Sequence, residues 1–480
     1  MFFKRVAKAV SCNPFSEERL EIDREIAGVG AEVGRPDVLK EAERRVSNAL
    51  QKLTRREGGI GAYAEEDRAL ILTAVMFEIF HRYAPRFDGL IRKQVATGDL
   101  SCRADFVEEV LAAMEAYGFD RAAALHFVSK FYQLRRAFHL IYFAAFGRSS
   151  CMRNLRCRLW TNIFTHDISL YDRHMWNRME DFSTLLLGET GTGKGMAALA
   201  IGRSGFIPYD PKTKSFEPSF MKAFVAINLS QYPEALIESE LFGHRKGAFT
   251  GAIEEHMGVF ARCSPHGAIF LDEIGAVGES IQIKLLQVLQ ERMFTPVGSH
   301  EQKRFHGRVI AATNEDLVAL RRDGRFRDDF YYRLCSDQIT VPPLRDRLRE
   351  EPEELGDLVE SILKRTCGSE AEQLKARVLE ALERSPGPGY AWPGNVRELE
   401  QATRRILLKG SYEPAPAVSA RTKEEEFARA VREGLLDANA LLSGYAKLLY
   451  ARHGTYGEVA RRTGLNWRTV KKHVERADGF

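Results

Sequence analysis

The chain has 480 residues, 44% hydrophobic and 28% charged, with a formal net charge of +4. That balance describes a soluble globular protein of about two to four domains, excludes a disordered or fibrous chain, and leaves too little net charge to argue for nucleic acid on its own. Seven dispersed cysteines, none in C-x-x-C spacing, fit a reducing cytosol rather than a zinc site or a disulfide framework.

Residues 1–165 read as a mostly helical regulatory or sensor region. Ala69–Phe80 is apolar on nearly every face, as in a buried helix, and Phe106–Met114 repeats at helical spacing. Arg135 and Arg136 interrupt an aromatic-rich stretch. The strongest apolar run, Ala137–Phe146, is about half the ~20 residues that a membrane span needs, so a cytoplasmic protein without a membrane partner is expected.

From residue 166 to 345 the pattern changes. The apolar runs Thr184–Leu187, Phe224–Ile227, Ala268–Leu271 and Arg308–Ala312 alternate with helical segments, which predicts a parallel sheet covered on both faces. Residues 346–410 read as a helical lid, 411–430 as a Pro-bearing linker, and 431–480 as a small helical domain.

Gly188-Glu189-Thr190-Gly191-Thr192-Gly193-Lys194 lies between a strand and a helix. Glycines at this spacing let backbone N–H groups point at a phosphate, the helix N-terminus adds its dipole, and Lys194 neutralises the β/γ-phosphates. The Ser or Thr usual after the lysine is replaced by Gly195, so no hydroxyl is offered there to Mg²⁺. The strand Ala268–Leu271 runs into Asp272 and Glu273. One carboxylate at such a strand end can hold Mg²⁺ and its neighbour can polarise the attacking water. ATP and Mg²⁺ are the cofactors expected.

These segments, with Glu238–Ala252, Phe270–Ile274, Ala311–Asn314, Phe326–Leu334 and Trp392–Leu399 in that order, resemble the sigma-54-dependent activators, the bacterial enhancer-binding proteins. The resemblance covers roughly residues 165–410. It implies an AAA+ α/β core with a helical lid, and an oligomer, by family expectation a hexamer, that uses ATP hydrolysis to remodel sigma-54 RNA polymerase. It also implies roles: Lys194 on phosphate, Asp272 on Mg²⁺, Glu273 on the attacking water, and Asn228 as the switch that contacts that glutamate. Thr313 and Asn314 become the γ-phosphate sensor, Arg327 and Arg333 fingers reaching a neighbour's ATP, and Arg397 the lid's nucleotide sensor. Two departures stand out: Gly195, where the family usually has Glu, and Ser204–Met221, longer than the usual link to the next strand.

Gly247-Ala248-Phe249-Thr250-Gly251-Ala252 has glycines that allow a sharp reversal and place Phe249 and Thr250 at a tip. Read alone this is a structural turn; the resemblance makes it the loop that presses on sigma-54. Met293–Phe305 resembles the second pore-side loop, with a solvated hairpin as a close alternative. At the C-terminus, Tyr456–Gly464 followed by Leu465–Val474 reads as helix–turn–helix, with Val459 and Ala460 inward, Gly464 at the turn and Asn466 as cap. Between Lys447 and Asp478 there are eight basic and three acidic side chains, a net of +5. Arg468, Thr469, Lys471 and Lys472 on the second helix suit a major groove. This unit resembles the Fis-type domain that would bind upstream enhancer DNA as a pair. A DNA-binding regulator that does not engage sigma-54 and a non-hydrolysing nucleotide-switched scaffold are the alternatives.

Overall fold

The structure, a computed structural model, describes residues 1–54, 60, 63–414, 423–432 and 434–475. It divides into two compact units, Met1–Tyr412 and Glu413–Phe480.

The first unit opens with seven helices: α1 (Phe2–Ser11), α2 (Glu17–Ala27), α3 (Arg35–Thr54), α4 (Glu65–Thr97), α5 (Val107–Glu115), α6 (Arg121–Ala144) and α7 (Ser150–Phe164). Their starts follow capping chemistry: Ser16 accepts from Arg19 N ahead of α2, and Asp120 accepts from Ala123 N ahead of α6. The run Ala69–Phe80 forms the buried middle of the 33-residue α4, as its apolar faces demand.

Five parallel strands follow: β1 (Thr184–Leu187), β4 (Phe224–Asn228), β5 (Ala268–Asp272), β8 (Arg308–Thr313) and β9 (Asp337–Thr340), in spatial order β4-β5-β8-β1-β9. The first four are the predicted runs. β9, Asp-Gln-Ile-Thr, has one fully buried residue and carried no apolar signal. Between them lie α8 (Lys194–Gly202), the hairpin β2 (Tyr209–Asp210)–β3 (Ser215–Phe216), α9 (Glu234–Phe242), α10 (Glu279–Glu291), the hairpin β6 (Met293–Phe294)–β7 (Lys303–Arg304), and α11 (Asp328–Leu334).

Alternate residues of each strand face opposite cores, as the two-residue pleat requires. Leu185, Ile269, Leu271, Val309 and Ala311 pack with α9, α10 and α11 on one side. Leu186, Ala268, Phe270, Ile310, Ala312 and Ile339 pack on the other with α8 and with Leu140, Ile141, Leu155 and Leu159 of α6 and α7. The packing therefore runs across residue 165. Asn162 on α7 donates to Thr184 Oγ1 at 3.0 Å and Asp337 Oδ2 at 2.6 Å. Arg308, buried within β8, donates back to Asn162 O and Oδ1. Burial brings the Arg308 pKa down to about 10.

The long link at Ser204–Met221 holds the β2–β3 hairpin, and Tyr209, Phe216 and Phe220 from it join the core of α1–α6. The insertion is thus explained by what it packs on.

The lid comprises α12 (Leu344–Glu350), α13 (Glu354–Cys367), α14 (Ala371–Arg384) and α15 (Asn395–Lys409) around Val359, Val378, Trp392 and Leu399. A buried pair, Arg347–Glu354 at 2.6 Å, anchors its base. Glu354 Oε2 also accepts from the backbone N–H groups of Arg148 and Ser149, each at 2.9 Å. Tyr412, placed in the linker by sequence, is buried on the lid and donates to Glu398 at 2.8 Å. The ordered lid therefore reaches two residues beyond the expected 410.

The second unit holds α16 (Lys423–Arg432), α17 (Ala438–His453), α18 (Tyr456–Thr463) and α19 (Trp467–Glu475). Ala446, Leu449, Val459 and Val470 form its core. Residues 415–422, 433 and 476–480 fall outside the described residues, and with them the middle of the predicted linker.

Candidate nucleotide site

The glycine loop leaves β1 at Gly188 and enters α8 at Lys194. Two glycines there are dictated by close approach. At Gly188 (φ +147) a Cβ would lie 2.8 Å from Val341 O, and at Gly191 (φ +81) 2.3 Å from Gly394 O. Lys194 Nζ donates to Gly188 O at 2.8 Å and Glu189 O at 3.2 Å. Burial lowers its pKa while Glu273 and Asp272 oppose that shift.

The loop is clasped by residues that sequence reading did not assign. Arg345 forms an ion pair with Glu189 at 2.5 Å. Asn395 donates to Glu189 Oε2 and to Thr190 O, both at 3.1 Å, and Val396 N donates to Gly191 O at 3.1 Å. The Arg345 hydrogen bond holds the Glu189 carboxyl below its usual pKa. The loop and lid of one chain are thus latched together. The only hint in sequence was that Asn395 belongs to Trp392–Leu399; Arg345 had none.

Asp272 ends β5, and Glu273 follows with φ +57, an uncommon conformation for a residue with a side chain. Burial raises the pKa of both carboxyls, and for Glu273 repulsion from Asp272 adds to it. An acidic pair raised by burial, with repulsion from Asp272 adding at Glu273, beside a buried lysine is an electrostatic setting that a divalent cation and a phosphate would relieve.

The expected sensor reaches the loop: Asn314 donates to Thr190 Oγ1 at 2.9 Å, while the buried Thr313 hydroxyl accepts from Glu315 N at 3.0 Å. Thr192 folds back on Glu189 O at 2.9 Å. Arg397 is exposed beside Gly191, where its Cβ lies 3.0 Å from the position of an added glycine Cβ. Asn228 pairs with Asp272 in the sheet register, and its carboxamide oxygen accepts from Ser230 N at 3.0 Å and Ser230 Oγ at 2.8 Å; among the described residues no hydrogen bond joins its side chain to Glu273. Arg327 is held by Glu279 at 2.7 Å and Asp329 at 2.9 Å, and Arg333 donates to Leu289 O. Within one chain these two arginines are thus engaged outside the loop. Gly195 meets nothing closer than Phe270 at 3.9 Å, so a side chain would fit there.

The 247–252 loop reverses with Gly247 at φ +80 and Gly251 at φ +103, closed by Gly247 N to Ala252 O at 2.8 Å. Phe249 is exposed at the tip, its ring edge-on to His244 at 4.9 Å, and Ala252 is buried. Ala248 rests against Gly298 in the β6–β7 hairpin, the segment likened to a second pore-side loop; Phe294 and Phe305 root that hairpin in the core.

With this geometry in place, similarity to known proteins is informative. The family described as the Sigma-54 interaction domain matches residues 169–340, which span β1 to β9. Over these residues the chain carries a sigma-54 interaction domain. Nitrogen fixation protein AnfA of Azotobacter vinelandii is 36% identical over 301 residues, 61% of this chain and 52% of AnfA. The regulator NtrC of Azospirillum brasilense is 41% identical over 233 residues, 48% of this chain and 44% of NtrC. AtoC of Escherichia coli is 38% identical over 229 residues, 48% of this chain and 46% of AtoC. The chain spans about half the length of these curated relatives. The sigma-54 interaction domain therefore holds the loop, the acidic pair, Asn228, the sensor, both arginines and the 247–252 tip, whereas Arg345, Asn395 and Arg397 lie beyond its end.

In the second unit Asn466 caps α19, accepting from Arg468 N at 2.9 Å. Arg468, Thr469, Lys471 and Lys472 are exposed on that helix, and Gly464 (φ +71) makes the turn before it. On α17, Leu441, Leu442 and Tyr445 are exposed together.

Proposed function

We propose that this protein is an oligomeric ATPase that binds upstream DNA and uses ATP hydrolysis to convert the closed sigma-54 RNA polymerase complex into an open one. The observation that carries the proposal is the pairing, within one sigma-54 interaction domain, of a clasped phosphate loop with a glycine-bounded loop that keeps Phe249 exposed.

Lys194 and the loop N–H groups would hold the β- and γ-phosphates, and Asp272 would hold Mg²⁺, which supplies charge neutralisation there. Glu273 takes the proton of the attacking water, a task suited to a carboxyl with a raised pKa. Asn314 reports on the loop through Thr190, with Thr313 as the sensor residue beside it. Arg397 completes the site from the lid. Arg327 and Arg333 serve a neighbouring subunit's site, which makes hydrolysis depend on assembly into a ring, by family expectation a hexamer. For Arg327 this requires release from Glu279 and Asp329. Residues 1–165 regulate, and the second unit binds enhancer DNA through α19, paired by the exposed face of α17.

The loop variants test this reading. Phe249→Ala and Thr250→Ala are expected to keep ATP hydrolysis within about twofold while sigma-54-dependent open-complex formation falls more than tenfold, because neither residue contacts the phosphate loop. Both activities surviving in an assembled, folded variant would refute sigma-54 remodelling by this loop.

A further inference from the structure

A cavity of about 180 Å³ lies among α1, α2, α3, α4, α6 and α7, far along the chain from the nucleotide loop. Its walls are apolar and largely aromatic: Met76, Phe77 and Phe80 from α4, Phe131 and Phe138 from α6, and Trp160 from α7. It opens to solvent on one side, and an apolar pocket of this size can admit an occupant of matching shape. An engineered cavity of about 150 Å³ accepts benzene, so this one accommodates a single ring or a short chain with a small head group.

The polar lining selects that head group. Four cationic side chains line the cavity. Three of them are neutralised: Arg19 by Asp23 at 2.8 Å, Lys130 by Asp172 at 2.8 Å, and Arg135 by Asp88 at 2.6 Å. Arg35 is different. Among the described residues it has no carboxylate partner, and it donates only to Pro14 O. It is exposed on one side, yet desolvation and the nearby Arg19 lower its pKa while Asp23, already paired with Arg19, opposes the shift. His81, on the wall, is buried, and desolvation lowers its pKa well below the ordinary value, which leaves it neutral. The lining thus presents one cation in excess, in a fork that suits a planar carboxylate.

We infer that this cavity is a binding site for a small monocarboxylate, a single-ring or short-chain apolar body whose carboxylate is held by Arg35. The inference stands apart from the ATPase reading, since no residue of it belongs to the nucleotide site.

Calorimetric titration of the full chain with benzoate, phenylacetate and hexanoate, and with neutral phenylacetamide, tests it. At least one carboxylate is expected to bind saturably at one site per chain, at least tenfold tighter than the amide. Arg35→Gln is expected to erase that preference without lowering the melting temperature. Met76→Trp, which fills the cavity, is expected to abolish binding of acid and amide alike. The inference is overturned if none of the three carboxylates binds saturably, if the amide binds as tightly, or if Arg35→Gln leaves the preference unchanged.

Discussion

At the residue scale the candidate chemistry gathers at the C-terminal ends of the strands. Glu273 combines a left-handed backbone with a carboxyl whose pKa is raised by burial and by Asp272. Glu273→Gln keeps shape and removes the proposed base. It is expected to retain nucleotide affinity while turnover falls by about 10²–10⁴-fold, the usual worth of a positioned base. Equal steady-state ATPase rates would reject the role. In the parent protein the raised pKa moves the acid limb of the pH–rate profile upward, so turnover should fade at a higher pH than an ordinary glutamate would allow. Gly195 offers the opposite test. Its Cβ space is open and it lies in the first turn of α8, so Gly195→Ala is expected to stabilise the fold by about 0.5–1 kcal/mol, seen as a raised denaturation midpoint. Sequence exposed both residues because each breaks or fulfils a local pattern. It could not expose Arg345, whose partner Glu189 is far away in the chain and whose neighbours form no pattern.

At the element scale, four strands were legible because each is an apolar run, buried on both faces in β1, β5 and β8 and partly buried in the edge strand β4. β9 was not: Asp337 is drawn into the sheet by Asn162 rather than by apolarity. The loop and the helix–turn–helix were legible through glycines and caps, whose φ values are now seen to be positive at Gly247, Gly251 and Gly464. α19 exposes Arg468, Lys471 and Lys472 in little more than one turn. If two copies read DNA together, about six phosphate contacts follow, and affinity should drop roughly a thousandfold between about 50 and 200 mM salt. A chain ending near residue 420 is expected to lose promoter binding. Undiminished binding by that shortened chain would place the DNA contact elsewhere.

At the scale of the whole molecule, packing joins what composition separates. The change of pattern near residue 165 is real in the sequence, yet α6 and α7 furnish one layer of the core around the parallel sheet. Composition reports local periodicity, and partners across the core leave no mark in it. A chain starting at residue 166 would bare that face of the sheet and strand Arg308. It is expected to lose the cooperative melting transition of the full chain, as followed by circular dichroism; a sharp transition at the parent temperature would show that the layer is dispensable. The same layer sets a timetable for synthesis. The bond from Asn162 to Asp337 spans 175 residues, and that from Arg148 N to Glu354 spans 206. At about 5–20 residues per second, α7 leaves the ribosome roughly 10–40 s before its last partners exist. Through that interval its apolar side has no sheet to cover it, and the growing chain is open to aggregation until the final strand arrives.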